Sequence, residues 1–132
     1  MQGDHPLRTA SNLAQQGRTA EAIAHLESAL AGTRSTKERP ANTSLLARTA
    51  GLLCGVVGQL SQAALYYEEA VATADCEPLP LLALADVRWR LGQADAARLC
   101  LARAESMVQS APDADVSTMI ANIRARWASG SS

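Results

Sequence analysis

Three stretches of this chain align without gaps: Gly17-Arg18-Thr19-Ala20-Glu21-Ala22-Ile23-Ala24-His25-Leu26-Glu27-Ser28-Ala29, Gly58-Gln59-Leu60-Ser61-Gln62-Ala63-Ala64-Leu65-Tyr66-Tyr67-Glu68-Glu69-Ala70, and Gly92-Gln93-Ala94-Asp95-Ala96-Ala97-Arg98-Leu99-Cys100-Leu101-Ala102-Arg103-Ala104. In each copy an alanine follows the glycine by five residues, a bulky residue follows by four more, and another alanine by three. Steps of three and four keep these positions on one face of a helix, here Ala63, Tyr67 and Ala70. Their small side chains let a neighbouring helix approach closely, and the glycine in front of each copy reads as a turn. The second copy starts 41 residues after the first, and the third 34 residues after the second.

A repeat of 34 residues with a glycine turn ahead of an Ala, bulky, Ala helix resembles the tetratricopeptide repeat family over about residues 6–110. In the middle copy the resemblance extends backwards through Gly51, whereas Ala47, Cys54 and, in the third copy, Arg88 depart from the large or aromatic residues of the pattern. The resemblance implies an all-α chain of about seven helices, a right-handed solenoid of antiparallel helix pairs forming one domain over residues 1–132. Its repeats fall at about 4–32, 44–76 and 78–111, with an insertion at 33–43 and a capping helix at 113–128. Asp4 and Pro6 open the first helix, which ends near Gln16; the second runs from Thr19 to Ala31 or slightly beyond. The insertion is polar and broken by Pro40, either a loop or a helix overhang followed by a turn. Asn42, Thr43 or Ser44 caps a third helix over 45–57, the fourth covers 61–74, Pro80 opens a fifth that ends near Leu91, and the sixth covers 94–110. Asp113 or Asp115 caps the seventh, whose apolar Val116, Met119, Ile120, Ile123 and Trp127 form one stripe opposite Ser117, Asn122, Arg124 and Arg126. Such a one-sided helix suits the end of a solenoid.

Composition agrees with a small helical domain. The 132 residues are 48% hydrophobic and 19% charged, aromatics make up 3% with no Phe, and the net charge is −1. The basic residues, all arginine except Lys37, are scattered, so a nucleic-acid footprint is missing. Residues 49–67 carry no charge, but Gly58, Gln59, Ser61 and Gln62 interrupt them, and two amphipathic helices meeting at a turn explain the run better than a membrane span. Residues 1–20 hold no apolar run of the secretory type, and a cytoplasmic location is expected. Cys54, Cys76 and Cys100 form no CxxC pair and read as small core residues, so neither a zinc site nor a disulfide framework is expected.

Chemistry-bearing patterns are sparse. His5 and His25 stand far apart in sequence, and Gly51, Gly55 and Gly58 are not followed by Lys-Ser or Lys-Thr, so neither a nucleophile pair nor a phosphate loop is present. Glu68 and Glu69, near Asp75 and Glu77, are expected on a solvated surface rather than around a metal. The chain is therefore read as non-enzymatic, without cofactor or metal.

The resemblance implies recognition in a concave groove lined by the first helix of each pair. The candidate partner-binding residues there are Arg8, Arg48, Leu52, Val56, Leu82, Asp86, Trp89 and Arg90, because apolar Leu52, Val56, Leu82 and Trp89 flanked by arginines mark a partner surface. The competing assignment turns Trp89 inward in place of Arg88, and Leu52 likewise, with the seventh helix covering the rest. Family members that hold a C-terminal carboxylate use Lys, Asn and Arg where this chain has Leu7, Ser11, Thr49, Leu79 and Ala83, so that clamp is absent. The expected function is an adaptor or chaperone-like module binding an apolar or amphipathic peptide or helix of another protein. The alternative is a structural protein whose groove is filled by its own copy, as a homodimer or larger homo-oligomer.

Overall fold

The computed structural model describes residues 6–35, 39, 42–73 and 77–129. The described residues form seven helices and no strand: α1 (Pro6–Gln15), α2 (Thr19–Arg34), α3 (Thr43–Val56), α4 (Leu60–Thr73), α5 (Leu79–Arg90), α6 (Ala94–Ser110) and α7 (Ala114–Ser129). Asp4, His5, Asp75, Cys76 and residues 36–38, 40 and 41 of the insertion, Pro40 among them, lie outside the described residues.

The first six helices form three hairpins with the same turn. Gly17, Gly58 and Gly92 have φ of 79°, 83° and 83°, a left-handed conformation that side chains resist and glycine adopts freely. In each turn the glycine N–H donates three residues back, to Ala14, Gly55 and Trp89, and the next N–H donates five residues back, to Leu13, Cys54 and Arg88. That pair of bonds satisfies the last carbonyls of the incoming helix, a Schellman end. The next helix begins two residues after the glycine in every case. The register predicted for the second helices holds in space: Ala22, Ala63 and Ala97 are fully buried, and so, almost completely, are Leu26, Tyr67 and Leu101.

The chain divides into two compact units, residues 1–74 and 75–132. In the first, the α1–α2 and α3–α4 hairpins pack with α2 against α3. Their shared core joins Leu26, Leu30 and Leu46 with Ala10, Ala22, Ala47, Ala50 and Ala70. Close approach is carried furthest at Gly51, where a Cβ would stand 2.8 Å from the ring of buried Tyr67. α2 takes the overhang alternative: Arg34 belongs to its last turn and is held by carboxylates on α2 and α4. Ser44 anchors the start of α3 by donating to the carbonyl of Ala70 at 2.9 Å.

In the second unit α7 packs against both α5 and α6. Asp113 caps it, its carboxylate accepting from the N–H groups of Asp115 and Val116 at 3.0 and 3.2 Å. The predicted stripe faces inward as Val116, Ile120, Ile123 and Trp127, all buried, while Met119 stays 43% exposed at its edge. The uncharged run 49–67 is the end of α3, the Gly58 turn and the start of α4. No helix among the described residues is long and apolar enough to cross a membrane.

Candidate functional site

Within the first unit, the predicted contact residues Arg48, Leu52 and Val56 share one line on α3 with Leu45, which the sequence reading did not name. Leu45, Leu52 and Val56 follow one another at seven and four residues, which repeats a single face over roughly 16 Å of helix. Leu52 is 58% and Val56 72% exposed, unusual for aliphatic side chains on a helix whose opposite face buries Ala47, Ala50, Gly51 and Cys54. Arg48 sits half-buried on the same line, with no carboxylate partner among the described residues. The hydroxyl of Thr49 is turned back onto the carbonyl of Leu45 at 2.8 Å and so does not compete for a partner. The line is apolar with one uncompensated positive charge at its middle. Arg8 is exposed on α1.

The second unit treats its predicted contact residues differently. Leu82 is 5% exposed, not open to solvent as the groove assignment expected, in a unit where α7 packs against α5. With Asp86 it borders a cleft of about 540 Å³ whose other wall is Met119, Asn122, Ile123 and Arg126 of α7. Trp89 is half-buried rather than open, and its ring stacks on Trp127 with centroids 4.5 Å apart and planes 7° from parallel. The guanidinium of Arg98 stands 5.5 Å from the Trp89 ring centroid, within cation–π range. The physical reason is local: α7 carries an apolar stripe that must be buried, and the α5 face holding Leu82 and Trp89 is apolar surface in the same unit. Of the four residues named on α5, Arg90 at its last turn is exposed and Asp86 is half-buried, 3.6 Å from Arg126.

One polar constellation was missed by sequence reasoning. Glu69, expected on a solvated surface, is only 14% exposed and accepts from Arg34 at 2.7 and 2.9 Å and from Arg39. Arg34 also donates to Glu27 at 2.7 and 3.2 Å, and the Tyr66 hydroxyl donates to Glu27 at 2.8 Å. Arg39 donates to the Thr33 hydroxyl as well, tying this part of the insertion to the α2 overhang. The Arg34 hydrogen bonds hold both carboxyls below the ordinary glutamate range against the opposing pull of burial. Burial and the bond to Glu27 push the Tyr66 phenol up. The only sequence signal for this network is an acidic residue on the fourth helix, an arginine at the end of the second and another in the insertion, 35 and 30 residues away, separations no helical period links. With Glu69 committed to two arginines, the Glu68–Glu69 pair offers no carboxylate pair for a cation. No group of three or more His, Cys, Asp or Glu able to hold a metal occurs among the described residues. Cys54 and Cys100 are buried, and burial pushes the Cys54 thiol up, away from reactivity.

No family model matches the chain, and no curated protein matches it.

Proposed function

We propose that this chain is a non-enzymatic protein-interaction module, a right-handed tetratricopeptide-like solenoid acting as an adaptor or chaperone in the cytoplasm. In this reading α3 receives an amphipathic helix of a partner protein along Leu45, Leu52 and Val56. The family assignment rests on the three glycine turns with identical hydrogen bonding and on the buried Ala, bulky, Ala register behind them. A buried thiol at Cys54 fits a reducing compartment.

The observation that carries the docking assignment is the exposure of Leu52 and Val56 beside an unpaired Arg48. Contiguous apolar surface bordered by charge is partner-facing in soluble proteins, and helix-in-groove recognition reads anchors at i, i+4 and i+7. Arg48 selects a partner helix with an acidic residue beside its apolar stripe. The test is fluorescence anisotropy with a labelled, leucine-striped peptide carrying glutamates along one flank. Wild-type protein should bind it, and the Leu52→Asp/Val56→Asp variant should lose a hundredfold or more, about 3 kcal/mol, with unchanged helical circular dichroism. Equal binding by the two proteins would remove α3 from the assignment.

A further inference from the structure

In the second unit the apolar faces of α5 and α6 are already occupied by a helix, and that occupant has the character of a ligand. α7 lies outside the three glycine-turn hairpins and follows a break at Ala111, where φ is −137° and ψ 85°. It enters with Val116, Ile120, Ile123 and Trp127, spaced four, three and four residues apart, the anchor pattern of helix-in-groove binding. Its two arginines face acids on opposite walls: Arg124 makes a bidentate bond to Glu105 on α6, and Arg126 stands 3.6 Å from Asp86 on α5. An acid on each wall facing an arginine on each flank is charge complementarity of the kind that fixes register in binding.

The edges of the seat are open. Three clefts, of about 530, 540 and 240 Å³, open along the borders of α7 with α5 and α6. The buried indole N–H of Trp127 has no acceptor among the described residues. Buried polar groups in settled cores find partners.

We propose that the α5–α6 face is a second helix-binding site, that α7 is its resident occupant, and that it accepts in trans a basic amphipathic helix of the same design. The recognised pattern is an apolar stripe ending in Trp, with arginines one and three residues before it, as in Arg124-Ala125-Arg126-Trp127. The partner is thus a basic helix, chemically opposite to the acidic helix assigned to α3, and the two sites can be tested independently.

The experiment exchanges charges in the full chain. Asp86→Arg/Glu105→Arg should repel α7's own arginines and loosen it. A fluorescein-labelled peptide of residues 113–129 with both arginines replaced by glutamate should then bind this variant at least tenfold more tightly than it binds wild type. The unmodified peptide should show the opposite preference between the two chains. The two tryptophans of the chain are the stacked pair, so their fluorescence and circular dichroism report α7 leaving its seat. A helical variant that binds neither peptide overturns the proposal. Should the double substitution lose helical content, Trp127→Ala in an otherwise unchanged chain replaces it, because it weakens the occupant without altering the seat. That variant should bind the unmodified peptide at least tenfold more tightly than wild type does, and failure to do so equally overturns the proposal.

Discussion

Gly51 and Gly55 lie one helical turn apart on α3, yet their surroundings demand opposite things of them. A Cβ at Gly51 would press on three carbons of the Tyr67 ring, at 2.8 to 3.0 Å, whereas one at Gly55 would meet no heavy atom within 4 Å. Alanine gains about 1 kcal/mol over glycine inside a helix. At Gly55 that gain should appear undiminished, and Gly55→Ala should stabilise the protein by about 0.5–1 kcal/mol. At Gly51 it is opposed by overpacking against a stiff, buried ring, which costs about 1–3 kcal/mol, so Gly51→Ala should leave the protein less stable. Urea unfolding of both variants measures the difference in sign. Replacing Tyr67 by Leu alongside Gly51→Ala should recover part of the loss, as expected if the two residues share one contact. Gly51 was legible in the sequence as a place of close helix approach, through its spacing within the repeat. Its partner was legible only as a bulky position, and Tyr67 is the bulkiest residue at that place among the three copies.

At the scale of the element, α2 and α7 each show what periodicity leaves open. The sequence places the end of α2 at Ala31 or slightly beyond and leaves the polar stretch before Pro40 as either a loop or a helix overhang; the helix runs to Arg34. The helix continues because Arg34 bridges Glu27 within α2 and Glu69 on α4, a contact that exists only once the two hairpins are packed. Stability should therefore depend on pH through these carboxyls. Folded, Glu69 and Glu27 titrate below the ordinary glutamate value of about 4.3. Their contribution is thus fully present above that pH and is lost as pH falls through the lower, folded-state values. Glu69→Gln should cost about 1–2 kcal/mol at neutral pH and flatten the acid-side decline, which urea titrations from neutral to acidic pH would measure. If wild type and variant declined in parallel, Glu69 would not be responsible. The amphipathic stripe of α7 was plain from its spacing, but a stripe does not name what it covers. Leu82 and Trp89 carry the same apolar signal whether open or covered, and the seat of α7 decides it: Leu82 lies beneath and Trp89 is stacked on one side by Trp127.

For the whole molecule, what recurs in the sequence recurs in space, and what occurs once does not declare itself. Gly17, Gly58 and Gly92 announced three hairpins, because a left-handed turn followed by a small, bulky, small face leaves few other conformations. Arg34, Glu69, Trp89 and Trp127 act through contacts that each occur once in the chain, and no internal copy exists against which to read them. The α3 line belongs to the legible part, since Arg48, Leu52 and Val56 fall on the face opposite the repeat's small residues. Exposed apolar surface of this kind is satisfied either by another protein or by a second copy of the chain, and the two differ in mass. An adaptor awaiting its partner should scatter light as a monomer of 13.9 kDa over the accessible concentration range. Symmetric pairing is the commonest way for one surface to bury itself against its own copy, and would double that mass. Leu52→Asp/Val56→Asp supplies the control. It should leave a monomeric wild type unchanged in mass, whereas a doubled mass that falls to 13.9 kDa in the variant would assign the α3 line to self-association and move partner recognition to the α5–α6 seat.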